Sequence, residues 1–99
     1  MYKVVYNTCY GGFSLSESAV AELDQRGKYT DLYGVNFPRH DPDLVAVVEL
    51  LGTDADGFMA KLAVTTVSGK YYIQEYDGTE TVIEPHQIPW IDPTEEPQL

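Results

Sequence analysis

Positive charge is scarce in this chain: six Lys and Arg stand against sixteen Asp and Glu in 99 residues, a net of −10. Neutralising phosphates requires clustered cations, so neither nucleic acid nor an anionic membrane surface is expected as a direct ligand. Cysteine is limited to Cys9, which leaves no partner for an intrachain disulfide and fits a reducing compartment. That thiol and two histidines, His40 and His86, are too few and too scattered for a zinc site. No apolar run approaches the roughly 18 residues of a membrane span. Met1 to Tyr6 lacks the long apolar stretch and small-residue cleavage site of a signal peptide.

What is present suffices for a small core. Leu, Ile, Val and Phe make up 25 of the 99 residues, above the roughly 20% below which charged chains stay disordered. The length is that of one domain.

Tyr2-Lys3-Val4-Val5-Tyr6 is β-branched and aromatic and reads as a first strand. A loop through Gly11-Gly12 follows. Ser14-Leu15-Ser16-Glu17 has the spacing of a capping box, with Ser14 as cap. Leu15, Ala19, Val20 and Leu23 recur at helical spacing up to Gly27, which predicts a helix over about Leu15 to Arg26. Lys28 to His40 has no clear period. Asp41-Pro42-Asp43 opens a second helix, with Asp41 as cap and Pro42 in the first turn; its apolar stripe is Leu44, Val47, Val48 and Leu51, and Gly52 ends it.

Thr53 to Gly57 reads as a polar loop, after which the period changes to two. Lys61–Val67, Tyr71–Tyr76 and Thr81–Ile83 read as strands of an antiparallel meander, turned at Ser68-Gly69 and Asp77-Gly78. Prolines 85, 89, 93 and 97 fall every fourth residue and predict an extended tail. The expected organisation is a single α+β domain over residues 1–91 with an acidic, proline-containing tail over 92–99. In that domain two helices pack on one face of a mainly antiparallel sheet of three or four strands.

Charge is uneven. Residues 1–50 carry 4 basic and 7 acidic side chains, net −3; residues 51–99 carry 2 and 9, net −7. The strands and tail form the acidic end. Tyr72 and Tyr76 share one face of a strand by alternation, with Glu75, Asp77 and Glu80 around the turn. Exposed tyrosines with an acidic rim suit a protein partner with a basic surface. The same residues also suit plain cross-strand packing.

Other candidate chemistry is thinner. Tyr10-Gly11-Gly12 lies between a strand and a helix, where amides could hold an anion, with Arg39 and His40 as polar neighbours. The glycines equally permit a tight turn. Cys9 is either a nucleophile or a small buried apolar group. Asp54-Ala55-Asp56-Gly57 begins like a calcium loop, but Phe58 and Thr65 stand where its fifth and twelfth ligands belong. No catalytic set, metal or cofactor is expected.

The string Val4-Val5-Tyr6-Asn7-Thr8-Cys9-Tyr10-Gly11-Gly12-Phe13-Ser14-Leu15-Ser16, followed by Ala19, resembles a motif of small uncharacterised proteins of bacteriophages and large DNA viruses. The resemblance continues in Arg39 with Asp41, in Leu44-Val45 with Val48-Glu49-Leu50-Leu51-Gly52, and in Glu75-Tyr76-Asp77-Gly78 with Glu80. It covers most of residues 1–84 and carries no assigned activity. It implies a viral origin and the cytoplasm of an infected bacterium as the setting. Small acidic phage proteins often inhibit host defence or host nucleic-acid enzymes. The expected function is therefore non-enzymatic: an anti-CRISPR-like inhibitor that uses an acidic surface (Tyr72, Glu75, Tyr76, Asp77, Glu80) to occupy the basic groove of a host defence or nucleic-acid-binding protein. The alternative is a small-ligand or nucleotide-binding protein using Tyr10, Gly11 and Gly12 with Arg39 and His40. Oligomeric state is left open.

Overall fold

The structure, a computed structural model, describes residues 1–32, 36–89 and 93. In chain order the elements are β1 (Tyr2–Asn7), α1 (Glu17–Gln25), α2 (Pro42–Leu51), a 3-10 turn at Gly52–Ala55, β2 (Leu62–Val67), β3 (Tyr72–Tyr76), β4 (Thr79–Ile83) and a 3-10 turn at Pro85–Gln87. The class is α+β, as the sequence pattern predicts.

Local chemistry accounts for α2 in full. The Asp41 carboxylate accepts from the amides of Asp43 at 2.9 Å and Leu44 at 3.2 Å, Pro42 fits the first turn, and Gly52 ends the helix at φ +58. Leu44, Val45, Val47 and Val48 are buried, each contributing about 1.5–3 kcal/mol by leaving water.

α1 begins two residues later than expected. Ser16, not Ser14, is the cap: its Oγ accepts from the Ala19 amide at 3.1 Å and donates to the Asp54 carbonyl at 2.6 Å. Ser14 is buried instead, because Leu15 bridges Asp56 and the Ser14 carbonyl accepts from Gly57 N. Those nonlocal bonds hold residues 14 and 15 extended, outside helical geometry.

The sheet is split. β1 pairs antiparallel with β2, Tyr2 opposite Val67 through Asn7 opposite Leu62. β3 pairs with β4, Tyr72 opposite Ile83 through Tyr76 opposite Thr79. The expected Asp77-Gly78 turn is present, with φ +51 and +90, the two-residue geometry that suits strand twist. The expected hairpin at Ser68-Gly69 is not: β2 and β3 belong to different sheets.

Val5, Leu62 and Val64 join the helices in the main core. Val4 and Val67 are fully buried outside that cluster, and strand alternation puts Val4 on the opposite face from Val5. β4 lies against β1, and its Glu80 accepts from the Asn7 amide at the end of that strand.

The extended tail expected from Pro85 onward does not begin there: Pro85 takes the first position of the short 3-10 turn it opens, where its missing N–H is no loss. The remaining tail readings, with the boundary at residues 91 and 92, lie outside the described residues, Pro89 and Pro93 excepted.

Candidate functional site

Asn7 is the residue that organises the acidic end. It is fully buried at the last position of β1. Its Nδ2 donates to the Cys9 carbonyl at 2.6 Å and to the Gly78 carbonyl at 2.8 Å. Its Oδ1 accepts from the amides of Lys61 at 2.9 Å and Cys9 at 3.3 Å, and its own N–H donates to Glu80 Oε1 at 2.9 Å. One amide side chain thereby ties the first loop, the start of β2 and the β3–β4 turn together.

Arg39 completes the attachment. It forms a bidentate pair with Glu80, Nη1 to Oε1 at 2.6 Å and Nη2 to Oε2 at 2.9 Å. Its guanidinium lies 3.6 Å from the centre of the Phe13 ring, and its carbonyl accepts from Val5 N at 2.9 Å. Glu80 stands directly across from Glu75. Like charges at that spacing repel, and Arg39 offsets the repulsion. Beside this clamp His40 Nδ1 is 2.7 Å from the Tyr71 hydroxyl. Burial pushes the Tyr71 phenol above its ordinary range, against the opposing pull of Arg39 and His40.

Two sequence expectations change here. Glu80 is not part of an exposed rim; its side chain is 8% exposed and engaged by Arg39 and the Asn7 amide. Arg39 is likewise committed to Glu80, so the Gly11-Gly12 turn has no free cation from it. That turn is packed: a side chain at Gly11 would collide with Met59, and one at Gly78 with the Tyr10 carbonyl and Gly12 N. Three surface concavities measure about 290–350 Å³. None is lined by Tyr10, Gly11, Gly12 or Arg39, while His40 borders two. Cys9 is half-buried and engaged through its main chain.

What faces solvent is the outer side of the second hairpin. Tyr72 and Tyr76 share that side by alternation, and Tyr76 is 77% exposed. Glu75, on the opposite face of the strand beside Glu80, is also exposed and accepts from Gly78 N at 3.2 Å, with Asp77 exposed at the turn. The Tyr10 loop abuts this turn on one side and Met59 on the other, so exposed Tyr10, Phe58 and Met59 stand at the same end of the molecule. Phe58 and Met59 occupy a turn closed by Ala60 N to the Gly57 carbonyl at 3.1 Å, with Met59 at φ +65. Sequence reasoning missed this pair, and it missed Asn7. Gly57 and the Phe-Met dipeptide after it were the available signal for the turn; nothing local marked Asn7, whose partners lie up to 73 residues away.

Four of the six cations are bonded to carboxylates of the chain: Lys3 to Glu49, Arg26 to Asp43, Lys28 to Asp41 and Arg39 to Glu80. Glu17, Glu22, Asp24, Asp54, Glu75 and Asp77 make no ion pair among the described residues. No group of three or more His, Cys, Asp or Glu among them is placed to hold a metal ion, and no described helix is long and apolar enough to cross a membrane.

Comparison with protein-family models, with curated proteins and with solved structures found no match for this chain.

Proposed function

We propose that this chain is a non-enzymatic protein-binding module, an inhibitor that sets an acidic, tyrosine-bearing surface into the basic groove of a host defence protein. The setting is the cytoplasm of an infected bacterium, as the resemblance to phage and large-virus proteins implies, and the best-suited target is a nucleic-acid-guided effector of the CRISPR type. The observation that supports this reading is the charge arrangement: four of six cations are already paired internally, and exposed Glu17, Asp24, Asp54, Glu75 and Asp77 make no ion pair among the described residues. A groove shaped for phosphates offers them complementary potential. Tyr72, Tyr76 and Tyr10 supply apolar contact area with a polar tip, the side-chain type enriched at interface centres. Glu75 and Asp77 form the rim; Glu80 serves the fold beneath it.

The test is competition. Purified protein is titrated into a CRISPR effector complex holding fluorescent DNA or RNA, and anisotropy is followed at low and moderate salt. The expected result is displacement at stoichiometric ratios, with association slowing as salt rises. Full retention of nucleic acid at saturating protein in low salt would refute the reading for that class of target.

A further inference from the structure

β2 has two edges, and among the described residues only one is paired. Val5 N donates away from the ladder to the Arg39 carbonyl, so Val5 opposite Val64 is a pair without mutual hydrogen bonds. The amides and carbonyls of Leu62, Val64 and Thr66 therefore point outward, away from β1. Leu62 N is capped by Asp56 Oδ1 at 2.9 Å. Ser68 N, next in the alternation, is capped by Glu84 Oε1 at 2.8 Å. Between those two carboxylates the main-chain groups of Val64 and Thr66 have no partner among the described residues. Sheet edges are normally blunted by a charge, a proline or a bulge; Leu-Ala-Val-Thr-Thr-Val has none of these.

We infer that this edge is a strand-addition site, a short open rail at Val64 and Thr66 closed at each end by a carboxylate, and that its occupant is an extended segment of a basic partner protein. This deepens the proposed function and rests on its choice of a basic partner. An added strand is bound through its main chain and selected through its side chains. Here the residues opposite Leu62 and Ser68 meet Asp56 and Glu84, which selects Lys or Arg six positions apart, and the two between, opposite Val64 and Thr66, select β-branched residues. A second copy of this chain does not fit. Antiparallel self-pairing about Thr65 would set Asp56 of one copy against Glu84 of the other, in two chains each of net −10.

The probe is a capped heptapeptide, Lys-Thr-Val-Thr-Val-Thr-Lys, with a Glu-ended version as control, added to the full chain while amide exchange is read by NMR. The Lys peptide should slow exchange at Val64 and Thr66 about tenfold, and the Glu peptide should not. Thr66→Pro removes one rail donor at a position where an edge strand accommodates proline and should weaken peptide binding about tenfold. No change at these amides with about millimolar Lys peptide overturns the proposal. So does a concentration-dependent homodimer that itself protects them. An effector that is bound while Val64 and Thr66 exchange freely excludes the edge and leaves the partner reading standing. Protection by peptide with no effector bound does the reverse.

Discussion

The two sheets are both antiparallel pairs rich in Val, Thr and Tyr, yet they are held in place by opposite means. β1–β2 is held by burial: Val4, Val5 and Val67 are all 2% exposed or less, and the helices cover one face. In β3–β4 no residue is fully buried. A lone two-stranded hairpin is marginal in water, and this one is fastened by Arg39 to Glu80, Asn7 to Gly78 and His40 to Tyr71. Apolar burial is shared over many contacts and fails as a whole. Polar fastenings are few, and each can be cut singly.

The largest effect should come from the shared core. Leu44→Ala should lower stability by about 2–5 kcal/mol, with amides of both sheets losing protection together in urea. Arg39→Met leaves Glu80 charged and mostly buried. Allowing for the guanidinium's partial exposure, the loss should be about 2–3 kcal/mol. Its signature is regional: exchange should quicken in β3 and β4 while β1 stays protected, and equal acceleration in both sheets would erase the contrast drawn above. Ser16→Ala should cost about 0.5–2 kcal/mol, more than Ser14→Ala, whose hydroxyl makes only a 3.3 Å bond to the Phe58 carbonyl; a reversed order in denaturation midpoints would return the cap to Ser14.

The Asp41 carboxylate adds a pH test. Burial pushes its pKa up, but the Lys28 ammonium and the Leu44 and Asp43 amides outweigh this and hold it below the ordinary 3.8. A depressed carboxyl stabilises the fold fully above its unfolded pKa, and that contribution is lost as pH falls through the folded value. Asp41→Asn should therefore flatten the fall in stability below pH 3.8, measured by urea midpoints in acid. The smallest effect belongs to the outer hairpin: Glu75→Gln with Asp77→Asn should change stability by less than about 0.5 kcal/mol. In partner association the same pair should reduce the salt dependence of the on-rate.

Legibility in the sequence followed the range of the determining bonds. α2 and the Asp77-Gly78 turn were readable because their caps and turn residues act within four positions. Ser14-x-x-Glu17 imitated a capping box. What moved the helix start to Ser16 were bonds from Ser14 and Leu15 to Gly57 and Leu32, invisible to any local pattern. Glu75 and Asp77 lie exposed beside the turn that the Asp-Gly dipeptide marks. Glu80 looked the same on paper, but its fate depends on an arginine 41 residues earlier. The split of the sheet was hidden for the same reason, since Ser68-Gly69 carries turn chemistry whether or not the flanking strands pair.

Asn7 also bears on the time course of folding. Its bonds to Lys61, Gly78 and Glu80 span 54, 71 and 73 residues, so they form only after nearly the whole chain has been gathered, whereas the β3–β4 hairpin closes over two residues in microseconds. The asparagine is then a latch that shuts behind the rate-limiting barrier. Asn7→Ala should leave the refolding limb of a chevron nearly unmoved and raise the unfolding rate by almost the whole stability loss. A refolding rate that drops in proportion would place the latch inside the nucleus, and the hairpin would be a founding part of the fold and not its last arrival.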